Sequence, residues 1–195
     1  MCFSFEVSLG TFIITWFISL YLLNKNLTMN QYHNVIFIML FSTIQLIDAV
    51  FWYTNMKKDN LNYILTSYII PLLLSMQIIY NIFIINKNVN IYIKLISILA
   101  CIYLFYVFNG LYTVNSNNIL SSPKWGGSET NIIYAFIIIF FILISYGRIG
   151  FKGDKLCHLL IGLLTLIITF TFTGGYTSIW CALACSLSFY YLYKY

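Results

Sequence analysis

Apolar residues gather into seven runs along the chain, separated by short breaks rich in Asn, Lys and Gly. The runs lie at Val7–Leu23, Val35–Tyr53, Ile64–Ile85, Ile91–Asn109, Ile132–Gly147, Leu156–Phe172 and Thr177–Tyr193. A helix needs about 20 residues to cross the hydrocarbon core of a bilayer, and there the backbone must be helical because lipid offers N–H and C=O groups no partner. The pattern predicts an all-α polytopic membrane helix bundle of seven transmembrane helices, a single integral membrane domain over residues 1–195. The fifth run, with Ile137, Ile138, Ile139, Phe140 and Phe141 in succession, is apolar on every face and is expected to meet lipid.

Composition turns that pattern into an exclusion. Of 195 residues, 8% are charged and 61% hydrophobic, whereas a soluble domain carries about 25% charged residues. Too few charges remain to cover a water-soluble globule, and too much apolar surface for a disordered chain. The ten cations stand scattered between the apolar runs, so no basic stripe exists and nucleic-acid binding is not expected. Their positions carry topology instead. Lys25, Lys87, Lys94, Arg148, Lys152, Lys155 and Lys194 fall on one side; Lys57, Lys58 and Lys124 fall on the other. The excess of cations on cytoplasmic loops then puts the N-terminus outside or luminal and the C-terminus in the cytoplasm. Glu6 and no cation precede the first run, which is expected to stay as an anchor rather than be cleaved. The sequon Asn26-Leu27-Thr28 lies in a loop assigned to the cytoplasm, and glycosylation there would invert the topology.

Within the runs a few residues could carry chemistry. Asp48 is the one acid well inside a predicted span, where an ionisable group costs a few kcal/mol and needs a partner. Gln45, Asp48 and Trp52 are spaced i, i+3 and i+7, a stripe on one helix face. The stripe reads equally as interhelical glue and as a ligand or proton site. In the third run Pro71 removes a backbone donor and should kink the helix, while Gln77 and Asn81 share a face and read as glue, with Gln45 a more plausible partner than Asp48. Ser178, Ala182 and Ser186 recur every four residues in the last run, a small-residue face for close helix approach. Trp180 stands at its outer end and Cys181 beside it; Cys2 and Cys181 share the outer side, where an oxidising lumen would permit a disulfide. The long break around Ser121-Ser122-Pro123-Lys124-Trp125-Gly126-Gly127 reads either as an ordered turn with Trp125 at the membrane interface or as a solvated hairpin. No metal site and no cofactor is expected: there is no CxxC, HExxH, GxSxG or P-loop, and no Lys in the last span before Lys194 to hold a retinal.

Taken in order, Met1-Cys2-Phe3-Ser4, the Gln45/Asp48/Trp52 stripe, Pro71 with Gln77 and Asn81, Ser121 to Gly126, and Tyr176-Thr177-Ser178-Ile179-Trp180-Cys181 resemble a family of uncharacterised multi-pass membrane proteins. Its members occur in large DNA viruses of the mimivirus type and in some algae and other microbes. The resemblance implies a viral membrane protein in a virion or host membrane and brings no activity, ligand or cofactor with it. By the topology above, Cys2, Glu6, Asp48, Trp52, Trp125, Trp180 and Cys181 all fall toward the outer end, which predicts a polar, aromatic-walled vestibule there. The leading expectation is binding or transport of a small molecule or lipid headgroup; the alternatives are a non-catalytic structural or assembly protein and an intramembrane lipid-modifying enzyme using Asp48 and Glu6. The partner in every case is the lipid bilayer, and the sequence leaves the oligomeric state open.

Overall fold

A computed structural model describes residues 4–85, 88–116, 121–126 and 177–195, the last segment with side chains from Leu183 onward. Helices dominate: α1 (Phe5–Leu23), α2 (Met29–Tyr53), α3 (Asn60–Ile64), α4 (Ile70–Ile79), α5 (Ile91–Phe108) and α6 (Thr177–Lys194), with a two-stranded ribbon, β1 (Val114–Asn115) and β2 (Pro123–Lys124). Between α3 and α4, and again after α4, the chain winds as π-helix over Leu65–Ile69 and Tyr80–Ile85, so Asn60–Ile85 is one continuous rod. Among the described residues, four helical stretches are long and apolar enough to cross a membrane: Phe5–Leu23, Met29–Tyr53, Asn60–Ile85 and Ile91–Phe108. They mark a membrane-embedded protein. The fifth and sixth expected spans, over 132–147 and 156–172, lie outside the described residues.

Local chemistry explains where the helices begin. Ser4 caps α1, its Oγ accepting the Val7 N–H at 3.3 Å. Thr28 opens α2 with a capping box: its Oγ1 accepts the Gln31 N–H, and the Gln31 side chain accepts the Thr28 N–H at 2.8 Å. That box starts α2 at Met29 rather than Val35, because the polar residues Asn30, Gln31 and His33 extend a helix that a purely apolar criterion ends early. It also occupies the threonine of the Asn26-Leu27-Thr28 sequon. Asp59 caps the third rod in the same way, accepting the Asn62 N–H at 2.8 Å, and moves its start from Ile64 to Asn60. The expected distortion at Pro71 takes the form of a π turn. Pro71 has no N–H for the Ser67 carbonyl and its ring crowds that oxygen; one residue earlier, the Ile70 N–H reaches back five residues to Leu65. At the end of α2, Asn55 and Met56 adopt left-handed φ of 53° and 52°, and the Met56 N–H closes on the Phe51 carbonyl at 2.8 Å.

The chain forms two compact units, one from Met1–Lys57, Val114–Lys124 and Thr169–Tyr195, the other from Lys58–Thr113 and Trp125–Ile168. In the first, the Phe5 and Tyr53 rings lie 5.9 Å apart, so the start of α1 sits beside the end of α2. Asn34, near the start of α2, donates from Nδ2 to the Tyr195 hydroxyl at 3.1 Å, which brings the end of α6 to the opposite end of the hairpin. α1 and α6 therefore run parallel, with α2 antiparallel to both. The N-terminal end of α1 and the C-terminal end of α6 lie at opposite ends of this unit. Lys25 over the Tyr21 ring and Lys194 over the Tyr190 ring, at 4.9 and 5.2 Å, gather cations at the Tyr195 end.

The helix faces are inverted relative to a soluble protein. α1 buries Ser8, Thr15 and Ser19 with Ile18 and Leu22, and exposes Ile13, Ile14, Phe17 and Leu20. α5 buries Ser97, Ala100, Cys101, Leu104 and Phe108, and exposes Leu95, Leu99, Ile102 and Tyr106. Such broad exposed apolar surface is expected of lipid-facing helices and would be an aggregation liability in water. On α6, one of the three residues of the expected small-residue face, Ser186, has a described side chain. Ser186 is exposed, and the buried stripe is Ala184, Ser188 and Tyr191. Two residues along a helix turn a side chain by about 200°, which places Ser186 opposite that stripe. The Ser188 hydroxyl bonds its own helix at the Cys185 carbonyl, 2.7 Å away, and Tyr191 stacks on Tyr195 at 5.2 Å, so tyrosines as well as small residues seat this helix. The side chains of Ser178, Trp180, Cys181 and Ala182, and Cys2 with the disulfide expected of it, lie outside the description.

Candidate functional site

The most polar part of the first unit's interior is the pairing of α1 with α2. Along α2, Ser42, Gln45 and Asp48 are each fully buried, and Trp52 is half-buried. Gln45, Asp48 and Trp52 fall within about 60° of arc, as the spacing predicts. Asp48 is the one acid among the buried residues described, and Gln45, Asp48 and Trp52 each interact with further groups. Gln45 and Asp48 are completely enclosed by the protein, Trp52 only in part.

Glu6 stands in the first turn of α1, at the same end as Tyr53, but it is exposed. Glu6 and Asp48 thus stand in different surroundings, one in contact with solvent and the other sealed from it.

Opposite features appear on α1. Ser8, Thr11, Thr15 and Ser19 follow one another at i, i+3, i+7 and i+11, a single hydroxyl-bearing face, and Ser8, Thr15 and Ser19 are fully buried. Thr11 turns its Oγ1 onto the Val7 carbonyl at 2.8 Å, the usual retreat of a hydroxyl inside a helix. The other three do not. Their oxygens, and the Trp16 indole Nε1, are buried without a hydrogen-bond partner. Buried polar groups are normally paired, so such a row calls for an account. The sequence reading passed over these residues because each is individually unremarkable in a membrane helix; their common spacing was the available signal.

A second polar cluster lies within the second unit. The Asn62 amide reads the backbone of Thr113 at both ends, accepting its N–H at 2.9 Å and donating to its carbonyl at 2.9 Å. Thr66 donates to Asn62 Oδ1 at 3.0 Å and meets the Thr113 hydroxyl at 2.8 Å, while Ser67 donates to the Leu111 carbonyl at 3.1 Å. All four side chains are buried, and the neighbouring Tyr63 ring meets those of Tyr68 and Tyr112, each at 5.7 Å. This is a clasp that ties the start of the third rod to the chain leaving α5. Asn62 escaped the sequence reading because it was assigned to a loop. Pro71, Gln77 and Asn81 are also buried in this unit, and Gln77 and Asn81 each interact with other groups.

The turn before Trp125 is ordered. Val114 pairs with Lys124 and Asn115 with Pro123, the Ser116 N–H donates to the Ser122 carbonyl at 2.9 Å, and Gly126 takes a φ of 80° that favours glycine. Trp125 is fully buried in the protein rather than solvated. No group of three or more His, Cys, Asp or Glu that could hold a metal occurs among the described residues. The chain matches no protein-family model, no curated protein and no solved structure.

Proposed function

We propose that the chain is a seven-helix integral membrane protein, N-terminus outside or luminal and C-terminus cytoplasmic, that binds or moves a small polar solute or lipid headgroup through the polar interior of its first unit. Asp48 is the central group. The observation that carries this reading is the buried hydroxyl face of α1, with hydrogen-bonding capacity left unused, packed along the helix that bears Gln45 and Asp48. Four apolar helices of crossing length among the described residues, with the further apolar runs in the sequence, support the crossing number. Lys25 and Lys194 at one end support the orientation. The resemblance to the giant-virus family supports a virion or host-derived membrane as its location.

Native mass spectrometry of the purified protein and of Asp48→Asn tests this. A small molecule retained by the wild type and lost from a folded Asp48→Asn supports a binding interior. A second reading, a structural or assembly protein whose polar groups only lock helices, is favoured by the complete burial of Asp48. It gains if neither protein retains a ligand or passes a solute and the substitution changes only stability.

A further inference from the structure

We propose that Tyr63, Tyr68 and Tyr112 of the second unit bind the trimethylammonium end of a phosphocholine, at a site separate from the interior that holds Asp48. The Tyr63 and Tyr68 planes stand at 82° with their centroids 5.7 Å apart, and Tyr112 meets Tyr63 at 5.7 Å and 46°. A cation in the angle between two such rings can lie within about 6 Å of both centroids, the range over which an aromatic face attracts it. The rings keep surface to offer: Tyr68 is 47% exposed, and Tyr63 and Tyr112 are half-buried.

Two devices of the fold bring these rings together. Residues five apart on an α-helix point about 140° away from each other. The π turn over Leu65–Ile69, closed by the Ile70 N–H on the Leu65 carbonyl, turns the chain less per residue and carries Tyr68 back to Tyr63, until their hydroxyls lie 3.3 Å apart. Tyr112 is pinned on both sides by the clasp, through Ser67 on the Leu111 carbonyl and Asn62 on both backbone groups of Thr113. Clasp and π turn together hold the rings in place, so a ligand has little freedom left to remove on binding.

Charge and depth select the ligand. Asp59, the one acid among the described residues of this unit, caps the rod one turn before Tyr63 and is exposed. Its carboxylate adds to the negative ring faces, while the exposed Lys58 beside it offers a counter-charge to the phosphate. The rod of Asn60–Ile85 is about 39 Å long against a hydrocarbon core of about 30 Å, so its first turn, with Tyr63, reaches headgroup level. Tyr68 starts deeper, but helical side chains lean toward the helix N-terminus, and its hydroxyl reaches that of Tyr63. A quaternary ammonium has no N–H to keep hydrated and suits aromatic faces; a primary ammonium loses more on leaving water.

Native mass spectrometry of the full-length protein, from a non-ionic detergent supplied with equal amounts of phosphatidylcholine, phosphatidylethanolamine and phosphatidylglycerol, tests the site. The wild type should retain phosphatidylcholine over each of the others by on the order of tenfold, as two ring contacts would give. Tyr68→Leu removes one face and should cut that preference about fivefold, whereas Tyr68→Phe, which keeps the ring, should hold it within about twofold. Asp59→Asn keeps a helix cap, loses the charge and should weaken retention about threefold. Helicity and elution volume identify any variant that misfolds. A wild type that retains either other lipid equally well, a folded Tyr68→Leu that behaves as the wild type, or a Tyr68→Phe as weak as Tyr68→Leu overturns the proposal. Excess soluble phosphocholine distinguishes the sources: displacement of the lipid makes free phosphocholine a ligand of the same rings, and a preference that survives it assigns the site to the lipid.

Discussion

Asn62, Thr66 and Thr113 in the second unit are as deeply buried as Ser8, Thr15 and Ser19 in the first, yet the two groups use their polarity differently. In the clasp, each hydroxyl and amide meets another group of the protein. On the α1 face, the three hydroxyls meet none. Burial therefore does not distinguish a structural polar group from one available to a solute; the completeness of its hydrogen bonding does. A saturated cluster has nothing left to offer, and its removal should be felt in stability. An unsaturated row contributes little to folding, and its removal should be felt in whatever occupies it.

The sharpest way to break this distinction is Asn62→Leu. Leucine has nearly the same volume but orphans the buried Thr113 carbonyl and removes the bonds to the Thr113 N–H and from the Thr66 hydroxyl, which then keep only each other and the Thr113 hydroxyl. With one orphaned group costing about 1–3 kcal/mol and two further hydrogen bonds lost at about 1 kcal/mol each, the loss should come to roughly 3–5 kcal/mol. Reversible unfolding in mixed micelles measures it. A change below about 1 kcal/mol would mean that water replaces the amide and that the clasp is ornamental.

Thr66→Val comes next, removing one hydroxyl from the same cluster without changing its shape. Asn62 Oδ1 and the Thr113 hydroxyl each lose one contact, and the Asn62 bond to the Thr113 N–H remains. A destabilisation of about 1–2 kcal/mol is expected, toward the upper end of what single interhelical hydrogen bonds contribute in membranes.

Legibility from sequence followed the same divide between pattern and pairing. Hydrophobic runs recovered α1, α2, the third rod, α5 and α6, because lipid imposes length and apolarity on any crossing helix. Helix starts at Met29 and Asn60 were missed because they depend on the Thr28/Gln31 box and the Asp59 cap, which polar counting assigns to loops. Gln45 and Asp48 were correctly singled out as buried, since an acid in a span has nowhere else to go. The clasp was not legible, because Asn62 and Thr113 are distant in sequence and their bonds are to backbone rather than to a recognisable motif. For Ser186, a four-residue repeat suggested a face but could not say which face turns inward.

The smallest expected effect is the most discriminating. Thr15→Val makes the same chemical change as Thr66→Val, on a helix where the lost hydroxyl has no protein partner. Nothing in the protein is orphaned by it, and a methyl group in place of a buried hydroxyl is favourable in transfer terms. With no protein hydrogen bond to lose and only a small gain in apolar packing, stability should change by no more than about 0.5 kcal/mol. The unfolding measurement that reports about 1–2 kcal/mol for Thr66→Val should therefore barely register Thr15→Val. If both substitutions cost the same, Thr15 is paired in the working protein and the α1 face is a second clasp. If Thr15→Val is silent in stability but weakens retention of the ligand that depends on Asp48, the same hydroxyl chemistry serves folding in one unit and binding in the other.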